Sequence, residues 1–252
     1  MKTAFALTLA TLLFASLTAL PPADSNAAKP QLGQASRLPN FIVIFIDDLG
    51  YADVQPFSDR HDTPHLARMA REGRKFTNFY VASSVCTPSR AAIMTGCYPA
   101  RVSMLYNETR RPLPHASVLW PGDPKGLNPD EVTIAEVLKD RGYATACIGK
   151  WHLGDQPSFL PTRQGFDEFF GIPNGHDMGV RSKPFNLPPP MVKNEIVIEE
   201  LGSEDFPYLT KRYTEYALAR SYVQKLGDEG MPGTEVRKAG YVKIAHPMNW
   251  KE

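Results

Sequence analysis

The chain has 252 residues, enough for one large domain or two small ones with a sizeable core. Its 28 basic and 27 acidic residues leave a net charge of +1, which argues against a nucleic-acid-binding surface. Hydrophobic residues make up 42% of the chain and charged residues 22%, values that exclude wholesale disorder. The 23 prolines argue against an all-helical bundle, and three cysteines cannot form a closed disulfide framework.

Residues 1–27 have the pattern of a secretory signal peptide. Lys2 supplies a positive start, residues 5–20 are apolar, and residues 25–27 are small enough for cleavage. A transmembrane anchor is the alternative, but the apolar run falls short of the ~20 residues that a bilayer needs and ends at Pro21-Pro22. We therefore expect a secreted or periplasmic mature chain that starts near Ala28, without stable membrane insertion.

Residues 41–46 form a continuous apolar run with the sequence Phe-Ile-Val-Ile-Phe-Ile. Such a run is typical of a strand buried on both faces of an α/β sheet. Asp47 and Asp48 follow at once, at the carboxyl end of the strand, where open α/β sheets bind their ligands. In isolation, two adjacent aspartates more often mark a turn. Their position after a buried strand favours a metal or ligand site.

Helix and strand patterns then alternate along the chain. The predicted elements are a helix from Thr63-Pro64 to about Glu72, a strand over 74–81, a short helix over 88–94, an amphipathic helix over 130–140 and a strand over 143–148. The amphipathic helix is expected to turn Val132, Ala135, Val137 and Leu138 inward. Alternation of this kind predicts an α/β fold with a mixed, mostly parallel central sheet flanked by helices.

The remainder of the chain has weaker patterns. Residues 155–190 are rich in Gly, Pro and Asn, which indicates long loops around a site. Residues 213–226 predict a helix, and residues 241–245 are compatible with a strand.

Residues 86–90, Cys-Thr-Pro-Ser-Arg, give the sharpest chemical signal. A proline in the first helical turn fixes the backbone and leaves N–H groups directed back toward Cys86. Arg90 adds a cation one turn further on the same helix face. The pattern predicts an electropositive site around a nucleophile. For a lone cysteine, the alternative is a small buried apolar residue.

These residues also carry a resemblance to a known family. Residues 86–96 resemble the sulfatase signature, in which the cysteine is oxidised to Cα-formylglycine. Residues 40–50 resemble the family's first metal-binding strand end, and residues 142–154 resemble its second signature. Residues 164–178 resemble the segment that follows in arylsulfatase-type members. The four matches occur in the family's order, within the N-terminal portion of a fold of the alkaline phosphatase superfamily.

The resemblance implies a sulfuric ester hydrolase. Formylglycine at position 86 would be hydrated, and one hydroxyl would attack sulfur, displacing the ester alcohol and giving a covalent sulfo-enzyme. The other hydroxyl would collapse to the aldehyde and expel sulfate. It further implies that Asp47, Asp48 and the modified Cys86 are ligands of calcium, with magnesium as the alternative. Arg90 would be the cation that steadies formylglycine, and Lys150 would bind sulfate. His152 would hydrogen-bond the hydrated aldehyde and help its proton leave.

Lys150, His152 and His176 each have a plainer interpretation as surface groups. Lys150 and His152 flank Trp151 after a predicted strand, so an extended backbone would point both side chains the same way and toward one ligand. His176 lies in a segment that is near the substrate in related enzymes, which makes it a candidate substrate-binding residue.

The sequence also departs from the family. Members are about twice this length, and two further metal ligands and a second catalytic lysine normally come from the other half. Residues 28–252 are therefore expected to be an N-terminal part of a sulfatase catalytic domain, apparently truncated, with 221–252 as an atypical end. His246 follows a predicted strand, but no catalytic role is transferred to it.

The expected partners are a small-molecule or carbohydrate sulfate ester and, during maturation, a formylglycine-generating enzyme. Two alternatives remain open: a catalytically incomplete fragment without turnover, and a phosphomonoesterase or phosphonate hydrolase of the same superfamily. Those phosphoryl enzymes usually place Thr or Ser at the nucleophile position, so Cys86 argues against the second alternative.

Overall fold

A six-stranded mixed sheet forms the centre of the structure, a computed structural model that describes residues 39–106, 118–181, 188–228 and 238–245. The strands are β1 (Phe41–Ile46), β2 (Tyr143–Gly149), β3 (Glu168–Gly171), β4 (Pro190–Lys193), β5 (Ile196–Glu200) and β6 (Lys238–Ala245). The helices are α1 (Pro64–Glu72), α2 (Cys86–Thr95), α3 (Ile134–Lys139), α4 (His176–Arg181) and α5 (Leu209–Asp228). The predicted signal peptide and His246 lie outside the described residues.

The strand order is β1-β6-β2-β3-β4-β5, in which the first four strands are parallel and the last two antiparallel to their neighbours. This confirms the predicted α/β class. β6 lies between β1 and β2 and pairs with both along most of its length. Because β1 and β2 run in the same direction, the residues that follow them emerge at the same edge of the sheet.

The core packs against β2, in which every residue is buried. One hydrophobic cluster contains Trp151 and Phe166, whose rings meet edge to face at 6.1 Å. A second cluster lies beneath α5, where the ring of Tyr216 stacks on Phe170 with 4.0 Å between centroids. Within the described residues, no helix is both long and apolar enough to cross a bilayer.

Most predicted elements are confirmed. Helix α1 has the predicted bounds, and α2 begins two residues earlier than expected and ends at Gly96, whose φ of 67° suits the left-handed conformation of a helix end. β2, α5 and β6 are present and slightly longer than predicted. β3 and α4 lie within residues 155–190, which were predicted to be loops, and β4 and β5, next to a proline-rich stretch, were not predicted either.

Three expectations are wrong. β1 is not buried on both faces, because the described elements do not cover it, and Ile42 is 63% exposed. Residues 74–81 form no strand, and Phe76 is exposed. Their apolar and polar residues alternate as in a strand, but no neighbouring strand pairs with their backbone. Helix α3 begins only at Ile134, where Thr133 and Glu136 form a capping box, so Val132 precedes the helix and is exposed, as is Val137.

Candidate active site

Three polar side chains from separate elements meet at the carboxyl edge of the sheet. Asp47 follows β1, Lys150 follows β2, and Cys86 is the first residue of α2. Lys150 Nζ lies 2.7 Å from Asp47 Oδ2 and 3.2 Å from Cys86 Sγ. Cys86 Sγ lies 3.6 Å from both carboxylate oxygens of Asp47. A carboxylate, an ammonium and the predicted nucleophile are therefore in mutual contact.

Arg90 connects these elements through hydrogen bonds to Asp47 and Lys150. Its guanidinium is fully buried and donates from Nη2 to Asp47 Oδ2 at 3.2 Å and from Nη1 to the Lys150 carbonyl at 2.7 Å. The guanidinium carbon also lies 5.6 Å from the centre of the Phe45 ring. Burial lowers the pKa of Arg90, an effect that the Asp47 carboxylate opposes. A buried cation of this kind is tolerated because it is paired and hydrogen-bonded.

Cys86 is a poor nucleophile as a plain thiol. Burial raises its pKa, and the nearby Asp47 charge adds to the increase, while Lys150 and Arg90 act in the opposite direction. Because the thiolate is the reactive form, a raised pKa leaves the group protonated and unreactive near neutral pH.

Asp48 and Asp47 line a cleft of about 320 Å³ together with Cys86. Asp48 is exposed and has a φ of 54°, a left-handed conformation that aspartate adopts more readily than most residues. Two carboxylates offer up to four hard oxygen donors, whereas calcium takes six to eight. No group of three or more His, Cys, Asp or Glu side chains in the described ranges is arranged to hold a metal ion. The pair thus fits part of a calcium or magnesium shell.

His152 does not follow the extended backbone that the sequence suggested. Its φ is 60°, so the expectation that Lys150 and His152 point the same way along an extended chain is wrong. The side chain is fully buried, with Nε2 2.9 Å from the Leu119 carbonyl oxygen. Nδ1 has no hydrogen-bond partner among the described residues. Burial, and next the Lys150 charge, lower the pKa of His152 well below its usual value, so the ring is neutral at pH 7.

Thr87 is a buried residue of this region that the sequence reasoning did not single out. Its hydroxyl donates to the His152 carbonyl at 2.9 Å and accepts from the Leu119 backbone N–H at 3.1 Å. Its place inside the Cys-Thr-Pro-Ser-Arg motif was the available signal, but a threonine beside a nucleophile has no obvious role until its partners are known.

His176 is the predicted substrate-binding residue of the segment that follows β3. It begins α4, its ring meets the edge of Phe206 at 4.9 Å, and it is not among the residues that line the cleft. Its neighbour Gly175 lines a second cavity of about 610 Å³ with walls rich in proline. Asp155 and Glu200 also line this cavity, to which no described lysine or arginine contributes. The predicted role of His176 in substrate binding stays a prediction.

The fold and the site define an α/β protein with a nucleophile position, buried cations and a carboxylate pair gathered at the carboxyl edge of its sheet. The sulfatase family model matches residues 39–221. The chain therefore belongs to the sulfatase family, as the resemblance predicted.

The chain is similar to curated sulfatases over part of their length. It is 48% identical to arylsulfatase A of Homo sapiens over 147 residues, which cover 57% of this chain and 27% of that protein. It is 47% identical to steryl-sulfatase of Mus musculus over 151 residues, or 56% of this chain and 23% of that protein. The chain thus spans about a quarter of the length of these relatives.

Solved structures show the same fold. The crystal structure of Ps i-CgsB is similar with a TM-score of 0.65 and 27% identity, over 86% of this chain and 46% of that one. The PsFucS1 sulfatase from Pseudoalteromonas sp. has a TM-score of 0.65 and 26% identity, over 85% of this chain and 45% of that one.

Proposed function

We propose that this chain carries the nucleophile, the sulfate-binding cations and part of the metal site of a sulfatase that hydrolyses sulfate esters and releases inorganic sulfate. The observation that carries the proposal is the position of Lys150 Nζ, which contacts both Cys86 Sγ and Asp47 Oδ2. One cation is thereby placed to neutralise an anion bound at position 86 and to respond to a metal bound at Asp47.

Cys86 Sγ marks the place of the reacting group. Formylglycine formed there would supply a hydroxyl nucleophile that a thiol cannot replace, since the aldehyde hydrate has a second hydroxyl from which the sulfate can be expelled. Lys150 would hold the sulfate oxygens. Arg90, fixed by Asp47 and by the Lys150 carbonyl, would keep the local field positive. The unpartnered Nδ1 of His152 would accept a proton from the reacting group.

Asp47 and Asp48 would hold calcium, or magnesium, as part of its oxygen shell. A metal there would supply charge neutralisation and Lewis acidity next to position 86. The other oxygens would come from water, from the sulfate group or from parts of the sulfatase fold beyond the described residues.

The substrate would be a small-molecule or carbohydrate sulfate ester. This class is supported by the family and by the crystal structure of Ps i-CgsB in complex with k-i-k-neocarrahexaose. Candidate substrate-binding groups are Lys150 and His176. We further propose that residues 1–27 direct secretion or periplasmic export, and that a formylglycine-generating enzyme converts Cys86.

The test is to produce the full chain together with a formylglycine-generating enzyme and to analyse the peptide containing Cys86 by mass spectrometry. Conversion should be observed, and the converted chain should release sulfate from 4-nitrophenyl sulfate when calcium is added. Cys86→Ala should remove turnover with little change in the far-UV circular dichroism spectrum. Turnover of 4-nitrophenyl phosphate but not of the sulfate would favour the phosphoryl-transfer alternative instead.

A catalytically incomplete chain is the second candidate. It is favoured by the donor count at the cleft, where the two aspartates supply only part of a calcium shell. Converted, soluble chain that binds sulfate but shows no turnover at saturating calcium would decide for this candidate.

A further inference from the structure

We propose that Thr87 is a positioning residue that fixes the orientation and the tautomer of His152. The inference deepens the proposed function, on which it rests for the role of His152 as proton acceptor. It concerns a side chain adjacent to the nucleophile position that has no part in the roles implied by the family motif.

Thr87 closes a ring of hydrogen bonds with two other residues. Its hydroxyl accepts from the Leu119 N–H at 3.1 Å and donates to the His152 carbonyl at 2.9 Å. The Leu119 carbonyl in turn lies 2.9 Å from His152 Nε2. One hydroxyl therefore bonds both to the backbone of His152 and to Leu119, whose carbonyl contacts the His152 imidazole. Thr87 is 2% exposed, so water has little access to replace it.

These hydrogen bonds fix which nitrogen of the His152 imidazole carries the proton. A carbonyl oxygen only accepts hydrogen bonds, so the neutral imidazole must donate to Leu119 from Nε2. Nδ1 is then the unprotonated nitrogen. It is buried and no described residue donates to it, so its lone pair is the one that the proposed function uses as the proton acceptor. The other tautomer would place an N–H at Nδ1 and two lone pairs against each other at Nε2 and Leu119.

Thr87 also supports an unfavourable backbone. A φ of 60° is uncommon for a residue with a Cβ atom. The His152 conformation is held at both ends, by the Thr87 hydroxyl at its carbonyl and by donation of its own N–H to the Pro173 carbonyl at 2.8 Å. Loss of the hydroxyl removes one of these two restraints, and the ring is then free to leave the Leu119 carbonyl.

The decisive measurement is the tautomer of His152, read from ¹⁵N chemical shifts after selective histidine labelling. The sample is the full chain with Cys86 unmodified. His152→Gln identifies the signals. Wild type should show a protonated Nε2 and an unprotonated Nδ1, and Thr87→Ser should match it. Thr87→Val, which keeps the shape but not the hydroxyl, should give averaged or doubled signals.

Thr145→Val is the matched control. The Thr145 hydroxyl is also buried, donates to the Gly165 carbonyl at 2.8 Å and accepts from the Asp167 N–H at 3.0 Å, but it has no bond to His152. This variant should leave the His152 signals unchanged. The proposal is overturned if wild type carries its proton on Nδ1, if Thr87→Val keeps the wild-type signals, or if Thr145→Val loses them equally. A wild-type spectrum with the proton on Nδ1 overturns the proposal even where Thr87→Val does not fold.

A second readout uses the formylglycine-loaded chain. Thr87→Val should lower kcat by roughly tenfold to a hundredfold with KM little changed, since a displaced proton acceptor affects the chemical step, and Thr87→Ser should restore it. Mass spectrometry must show equal conversion of Cys86 in all variants. If even wild type lacks turnover, the proposed function fails, while the tautomer measurement still decides the role of Thr87.

Discussion

The ammonium of Lys150 lies 2.7 Å from Asp47 Oδ2, so a group proposed to bind sulfate is paired with a group proposed to bind the metal. Both side chains are largely buried, Lys150 at 4% and Asp47 at 10% exposure. The pairing would couple the two proposed binding events, because a metal ion at Asp47 would weaken the hold of that carboxylate on Lys150 and release the ammonium for an anion.

This coupling predicts that calcium strengthens sulfate binding. Inorganic sulfate should bind the full chain more tightly with saturating calcium than with EDTA, as measured by isothermal titration calorimetry. Lys150→Met should lose sulfate binding in both conditions, while its calcium affinity should stay equal or increase, because a competing cation has been removed from Asp47. Equal sulfate affinity with and without calcium would show that the two sites are independent.

The two aspartates should differ in their effect on stability. Asp47→Asn leaves Arg90 and Lys150 without their carboxylate and should lower the free energy of unfolding of the metal-free chain by about 3 kcal/mol. Asp48→Asn, at an exposed position, should change it by less than about 0.5 kcal/mol. Urea denaturation with EDTA measures both. Both variants should nonetheless weaken calcium binding, and an Asp48→Asn variant with unchanged calcium affinity would remove Asp48 from the proposed metal site.

The unmodified Cys86 thiol should react slowly. Its pKa is raised, chiefly by burial, so at pH 8 a smaller fraction is thiolate than in a free cysteine, and alkylation by iodoacetamide should be correspondingly slower. The measurement is made in a Cys97→Ala background. Cys147 does not interfere, because burial raises its pKa to about 12. Lys150→Met should slow the reaction further, since Lys150 lowers the pKa of Cys86. Alkylation faster than that of a free cysteine would contradict the assigned environment.

His152 should make stability depend on pH on the acidic side. Burial keeps the folded ring neutral, whereas the unfolded ring binds a proton below about pH 6.5. The unfolded state then binds more protons, so the free energy of unfolding should fall by up to about 1.4 kcal/mol for each pH unit below that value. Above it, His152 contributes no pH dependence. His152→Gln should flatten the profile, and a slope in this variant identical to that of wild type would exclude the buried neutral ring.

Much of the site was predictable because its residues follow local signals. Asp47 and Asp48 end an apolar strand, Cys86 begins a helix, and Lys150 ends a second strand, and parallel strands present their carboxyl ends at one edge. What the sequence could not give was the conformation of His152. Its backbone is set by bonds to Thr87 and Pro173, which lie far from it along the chain.

The errors in the fold have the same origin. The apolar pattern of β1 was interpreted as burial on both faces, but burial depends on which elements cover it, and the described elements do not cover β1. Residues 74–81 alternate like a strand but have no ladder partner. Local propensity correctly placed α1 and α2, whose ends are marked by Gly73 and Gly96.

The placement of β6 between β1 and β2 has a consequence for biosynthesis. β6 separates the strand that precedes Asp47 from the strand that precedes Lys150, and it is the last described element of the chain. Among the described strands β1 pairs only with β6, so a nascent polypeptide cannot form this pairing until residues 238–245 have been translated. Pairing between such distant segments forms slowly, and the apolar β1 is exposed to aggregation in the meantime, so we expect chaperones to raise the yield of this chain.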